Sequence, residues 1–123
     1  MYALDTNAIL YYLKDDVHAV PVLRQVFARN TPIYISAITE LELFAFANLS
    51  AQEESLIEDL LATVSIIAVD SRIARLAALA RRSYALKVPD SVIAATAMFT
   101  GSTLITRNTR DFRRVQNLVV LKI

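Results

Sequence analysis

Short apolar runs alternate along this chain with stretches of helical periodicity. Tyr2-Ala3-Leu4 is the first such run, and it ends in Asp5-Thr6-Asn7, three helix-capping types ahead of the apolar segment Ala8 to Leu13. That order predicts a strand followed by a helix. After the polar break Asp15-Asp16, Pro21 opens a second helix ending near Asn30, and Ile33-Tyr34-Ile35 reads as the second strand. A helix is expected over about Ala37 to Asn48. Ser50-Ala51-Gln52-Glu53 has the form of a capping box, with Leu56, Ile57, Leu60 and Leu61 following at helical spacing. The β-branched run Ser65 to Val69, bounded by Asp70-Ser71, predicts a third strand. Arg72 to Leu86 places Ile73, Leu76, Ala77, Ala80 and Tyr84 on one helical face. Pro89-Asp90 opens the next helix, Ser91 to Phe99, and the single glycine, Gly101, stands where a left-handed C-cap belongs. Thr103 to Thr106 and Leu118 to Leu121 are the fourth and fifth strands, separated by a turn around Asn108 to Arg114.

Strands alternating with helices predict an α/β fold, a central parallel sheet of about five strands with helices on both faces. The 123 residues suit one domain, 1–123, with no internal repeat or linker. Leu41, Phe44 and the Tyr11-Tyr12 pair are expected in its core.

Composition narrows the function. The chain is 55% hydrophobic with a mean hydropathy of +0.43, an apolar balance that predicts surface covered by a partner chain or a second copy. A net charge of +1 supplies no global field, so a polyanion would have to be held by local clusters such as Arg107, Arg110, Arg113 and Arg114. The absence of cysteine excludes disulfides, thiolate metal sites and thiol nucleophiles. Met1 to Leu4 runs into Asp5 without a basic segment, so no secretory leader is expected and a cytoplasmic location is. The longest uncharged stretch, Ser91 to Thr106, is broken by Ser, Thr and Gly101 and falls short of the ~18 apolar residues of a membrane span.

The chemistry rests with acids. In open α/β sheets ligands bind beyond the carboxyl ends of the strands. Asp5 directly follows the first predicted strand, Asn108 and Asp111 follow the fourth, Glu42 lies early in the helix leaving the second, and Asp90 opens the helix that feeds the fourth. Carboxylates gathered there repel one another unless a cation is bound among them. Singly, Asp5 and Asp90 read as helix caps, Glu42 as a solvated helix residue, the arginines as solvated surface and His18 as a loop residue. Together the acids predict a metal site. Glu40 competes with Glu42, since two positions along a helix point to nearly opposite faces, and apolar neighbours flank both.

Four segments, in order and correctly spaced, resemble the PIN domain, and specifically the VapC-type ribonuclease toxins of toxin–antitoxin pairs. Leu4-Asp5-Thr6-Asn7 is similar to the family's opening L-D-T-N, and Ile35 to Leu43 to its I-S-x-I-T-x-x-E-L segment, which assigns the acid role to Glu42 rather than Glu40. Asp90 to Ala97 resembles its D-x-x-I-A-A-x-A helix, and Thr106 to Phe112 its closing T-x-N-x-x-D-F. The resemblance implies an endoribonuclease dependent on Mg²⁺ or Mn²⁺, with Asp5, Glu42, Asp90 and Asp111 as ligands. Thr6, Asn7, Ser36, Thr106 and Asn108 would orient carboxylates and waters, and the late arginines would hold RNA phosphates. Whether Asp111 or a water held by Asn108 completes the set is left open by the pattern. The glycine usual after the Glu-Leu segment is replaced around Phe44-Ala45-Phe46. The family also implies a homodimer and a small antitoxin seated in a groove near the acids, for which the helix pair from about Ala37 to Ala62 is the candidate. The competing reading is a PIN-like module that binds RNA or protein without cutting. An aspartyl-phosphate enzyme fits less well, because Asp5-Thr6-Asn7 lacks the second acid of an Asp-x-Asp motif.

Overall fold

A computed structural model describes all residues, Met1–Ile123. Five strands, β1 (Tyr2–Leu4), β2 (Ile33–Ser36), β3 (Ser65–Ile67), β4 (Thr103–Thr106) and β5 (Val120–Lys122), form one sheet in the order β3-β2-β1-β4-β5. Every pairing is parallel. The helices between them are α1 (Thr6–Leu13), α2 (Ala19–Ala28), α3 (Ala37–Phe44), α4 (Ala51–Leu61), α5 (Ser71–Tyr84), α6 (Val88–Thr100) and α7 (Thr109–Phe112). The chain steps from β1 outward to β2 and β3, then returns to the other side of β1 with β4. The order therefore reverses between β1 and β4, the point at which an α/β sheet opens a crevice.

Strand side chains alternate between faces. Leu4, Ile33, Ile35 and Ile105 pack with Ile9, Leu23, Val26, Ile57 and Leu60 from α1, α2 and α4. Ala3 and Leu104 face Ile93, Ala94 and Ala97 of α6. Seven consecutive residues of α6, Ser91 to Ala97, are buried, because α5 covers the side that the sheet does not. No helix is long and apolar enough to cross a membrane.

Element starts follow the expected caps. Asp5 accepts from Ala8 N at 2.8 Å, Ser36 from Ile38 N at 3.1 Å and Asp70 from Ile73 N at 3.0 Å. Ser50 and Glu53 form the reciprocal capping box. Gly101 takes the left-handed conformation at the end of α6, with φ 65°.

Boundaries differ where local pattern lacked a partner. Helix α2 starts at Ala19, ahead of Pro21, because Asp16 Oδ1 accepts from both His18 N and Ala19 N at 2.9 Å. Helix α3 ends at Phe44 rather than near Asn48, and Ala45 to Asn48, which follow it, are exposed and bury no face that would extend the helix. Strand β3 stops at Ile67, paired with Ser36, the last residue of β2. The fifth strand lies later than Leu118–Leu121, following a left-handed Asn117 at φ 66°. Leu41 departs from the expected core: α3 buries Thr39 and Leu43, so Leu41, two positions from each, is 61% exposed. Phe44, Tyr11 and Tyr12 are partly buried against the core.

Candidate active site

The site begins where β1 and β4 end side by side. Leu4 pairs with Ile105, and Asp5 N–H donates to the Ile105 carbonyl at 3.3 Å, so Asp5, just past β1, meets Thr106, the last residue of β4. The Thr106 hydroxyl donates to Asp5 Oδ2, while Ala8 N–H donates to Oδ1. The Asp5 carboxylate is thereby buried and fixed at the start of α1.

Thr6 turns the other way. Its hydroxyl donates to Glu42 Oε1 at 2.7 Å and lies 3.1 Å from the hydroxyl of fully buried Thr39. Glu42 is thus the acid of α3 that faces Asp5. Asp90, the third residue of α6, is half-buried and is not the capping residue, a position held by Lys87. Asp5, Thr6, Asn7, Glu42 and Asp90 line one cleft of about 340 Å³, walled on its apolar side by Leu10, Leu41, Ala45, Phe46 and Ile93.

Asp111 approaches from α7. Asn108 accepts from Asp111 N at 3.4 Å and donates through Nδ2 to Asp111 Oδ2 at 3.1 Å. Asn108 N–H donates in turn to the Thr106 hydroxyl oxygen at 3.0 Å. Thr106 therefore joins the Asn108–Asp111 pair to Asp5.

Electrostatics tie the acids together. Burial pushes the Asp5 carboxyl above the usual carboxylate range; hydrogen bonds from Thr106 and Ala8 oppose this, and the charges of Asp90 and Glu42 add to it. Asp90 is also raised, first by burial, then by Asp111 and Glu42, with Lys87 opposing. Asp5 and Asp90 are each raised in part by neighbouring carboxylates, which is the condition a bound cation relieves. No group of three acidic or histidine side chains stands close enough to clasp one ion. The oxygen-only donor set nevertheless suits Mg²⁺ or Mn²⁺, since Mg²⁺ keeps several of its waters and needs only one or two carboxylates.

The remaining predicted residues divide. Ser36 is buried and caps α3 without lining the cleft. Arg110 and Arg113 are exposed and make no ion pair, and Arg114 lies 3.6 Å from Asp111. Arg107 is engaged within the fold: its guanidinium bonds Asp16 at 2.6 and 3.2 Å, lies 3.8 Å over the Tyr11 ring and reaches the Ile123 carbonyl at 3.3 Å. Sequence reading missed Thr39, although its position three residues before Glu42 places both on one helical face.

Residues 2–118 match the PIN domain, and the chain belongs to that family. Comparison of the sequence with curated proteins gives no match. Among solved structures it is similar to a toxin–antitoxin complex from Klebsiella pneumoniae, with 31% identity, all of both chains covered and a TM-score of 0.83. VapBC2 from Rickettsia felis, bound to a DNA fragment from its promoter, shares 26% identity over 99% of this chain and 98% of that one, at a TM-score of 0.84. DNA-bound VapBC from Salmonella typhimurium shares 25% identity over 98% and 96% of the two chains, at 0.83.

Proposed function

We propose that this protein is a metal-dependent endoribonuclease, the toxin of a toxin–antitoxin pair, acting in the cytoplasm. The observation that carries the reading is the meeting of Asp5, Glu42 and Asp90 in one cleft of a PIN domain, at the carboxyl edge beside the strand-order reversal. Held there, Mg²⁺ or Mn²⁺ would supply an acidified water as nucleophile and positive charge for the phosphodiester oxygens.

The protein's own contribution is orientation. Thr106 and Ala8 each occupy one lone pair of Asp5, leaving the others turned to the cleft, and Thr6 fixes Glu42 by one oxygen so that the second remains available. Asn108 fixes the Asp111 carboxylate, which does not line the cleft itself, and Asp111 or a water held by Asn108 would complete the acidic set. Arg110, Arg113 and Arg114 supply cations for RNA phosphates, while Arg107 serves the fold.

The relatives crystallised as toxin–antitoxin complexes support an antitoxin partner. An apolar groove of about 330 Å³ between Leu10, Leu13, Phe46, Leu49, Leu56 and Ile57 continues the acidic cleft through Leu10 and Phe46. A partner segment laid in it would reach over the acids. Exposed Leu79 and Phe99, 50% and 46% accessible, supply apolar surface for a homodimer.

A second reading, an RNA- or protein-binding module without catalysis, draws on the spacing of the acids, no three of which clasp one point. Cleavage of RNA with Mg²⁺ and with EDTA separates the two. We expect metal-dependent cutting that Asp5→Asn and Asp90→Asn abolish while circular dichroism stays native. Cutting by either variant at the wild-type rate, or in EDTA, would end the nuclease reading.

A further inference from the structure

A hydroxyl inside a helix can donate back to a carbonyl of the preceding turn. Ser91 does so to Val88 at 2.6 Å, Thr96 to Val92 at 2.8 Å and Thr100 to Thr96 at 2.9 Å. Thr39 does not. It lies in the first turn of α3 at 0% exposure, bonds no backbone carbonyl, and has the Thr6 hydroxyl, 33 positions earlier, as its one side-chain partner.

The Thr6 hydroxyl carries a single hydrogen and has two oxygens within reach, Glu42 Oε1 at 2.7 Å and Thr39 Oγ1 at 3.1 Å. A carboxylate accepts more strongly than a neutral hydroxyl, so the hydrogen goes to Glu42. The contact with Thr39 is then completed by Thr39's own hydrogen, for which no other acceptor competes. Thr39 donates to Thr6, and Thr6 to Glu42.

Thr39 and Glu42 stand three residues apart on one face of α3, so this relay leaves the helix, passes through the first residue of α1 and returns. It ties Glu42 by one oxygen only. With its own hydroxyl free to rotate, Thr6 would release Glu42 to the several rotamers open to a half-buried glutamate, and ion binding would have to order it.

The geometry points to Thr39 as a positioning residue: by donating to Thr6 it fixes the rotation of that hydroxyl, and so holds Glu42 with Oε1 tied and Oε2 presented to the cleft for a divalent ion. Thr39 lines no part of the cleft, so it acts only through Thr6. This rests on the metal reading for what Glu42 takes up, though not for how Glu42 is held.

The test is calorimetric titration of Mn²⁺ into wild type, Thr39→Val, Thr39→Ser, Thr6→Val and the double variant Thr6→Val with Thr39→Val. Thr39→Val keeps the branched shape without the donor and weakens binding about tenfold, the lower end for an outer hydrogen-bond partner of a ligand. Thr39→Ser keeps the donor and loses a buried methyl, so its Tm falls while its affinity matches wild type. In the Thr6→Val background the second substitution changes affinity by less than about twofold, because the relay is already cut. Equal affinity in wild type and Thr39→Val overturns the assignment, as does equal weakening in Thr39→Val and Thr39→Ser, or a full further loss in the double variant. A measurement on the metal-free protein keeps the two readings apart. In EDTA, three-bond NMR couplings of the Glu42 side chain report one rotamer in wild type and Thr39→Ser and averaging in Thr39→Val. Wild type that takes up no Mn²⁺ sinks the metal reading, and the couplings then decide Thr39: averaging in Thr39→Val keeps it as the residue that holds Glu42, and couplings unchanged from wild type remove it.

Discussion

Thr106 donates its hydroxyl hydrogen to Asp5 across 101 residues of sequence, and the same oxygen accepts from the backbone of Asn108. One buried hydroxyl thus orients the carboxylate at the end of β1 and anchors the turn that carries Asp111. Thr106→Val keeps the shape and deletes the donor. Outer hydrogen-bond partners of metal ligands are typically worth 10- to 100-fold in affinity. We expect Thr106→Val to weaken Mn²⁺ binding by about that factor in calorimetric titration, with Thr106→Ser restoring most of it. Unchanged affinity in Thr106→Val would remove Thr106 from the site.

Stability of the metal-free protein should fall as pH rises from about 4. Asp5 and Asp90 have folded-state carboxyls raised above their unfolded values, so between those values the folded chain binds more protons than the unfolded one. Ionisation then favours unfolding, and the penalty is complete above the raised values. Asp16 has the opposite sign: the Arg107 guanidinium and helix-start N–H groups hold it below the usual range, so its contribution is present above about pH 4 and is lost on acidification. Thermal melts in EDTA should therefore show Asp5→Asn more stable than wild type at pH 7. Adding Mn²⁺ should reverse the order, since ligand at 100 times its Kd stabilises by about 2.7 kcal/mol only the protein that binds it. A lower Tm for metal-free Asp5→Asn would contradict the buried-charge argument.

Asp5 was legible in the sequence because a strand end and a helix cap are both local signals, and both fall on it. Glu42 was not legible by periodicity. Leu43, Phe44 and Ala47 flank Glu40 as Ile38, Ala45 and Phe46 flank Glu42, and what decides between them is the Thr6 hydroxyl, 36 residues away. The family motif had already assigned the role to Glu42. Likewise nothing local separates Arg107 from the other late arginines, because its partner Asp16 lies 91 positions earlier. Strand ends shifted for the same reason: β3 and β5 end where their neighbours do, a fact about pairing rather than about their own residues.

The choice between the two glutamates is directly measurable. Glu42→Gln should abolish metal-dependent RNA cleavage, while Glu40→Gln, outside the cleft, should cut within about twofold of wild type. Equal loss in both would mean that α3 contributes through its charge as a whole.

Two left-handed helix ends give predictions of opposite sign. Ala85 carries a Cβ at φ 54°, a conformation that costs an L-residue roughly 1–2 kcal/mol, part of which a glycine would recover. Ala85→Gly should stabilise by about 1 kcal/mol in urea denaturation. Gly101→Ala should destabilise by about as much. A Cβ on Gly101 meets only Met1 Cε at 3.7 Å, so the loss would be conformational rather than steric. Destabilisation by Ala85→Gly would show that the Ala85 side chain makes packing contributions larger than its strain.

Arg107 joins β4 to the turn before α2, to the Tyr11 ring of α1 and to the chain's last carbonyl. Its neighbour Thr106 bonds Asp5, so loss of the guanidinium should loosen the carboxyl edge without removing an RNA contact. Arg107→Gln strands the Asp16 carboxylate and leaves the Tyr11 ring uncovered, and we expect a lower Tm with the salt dependence of RNA binding unchanged. Arg110→Gln and Arg113→Gln, whose side chains are exposed and make no ion pair, should do the reverse: native melting, and a slope in log K against log salt reduced by about 0.7 each. A reduced slope in Arg107→Gln at native Tm would return that arginine to the RNA surface and make its bond to Asp16 a resting arrangement that RNA displaces.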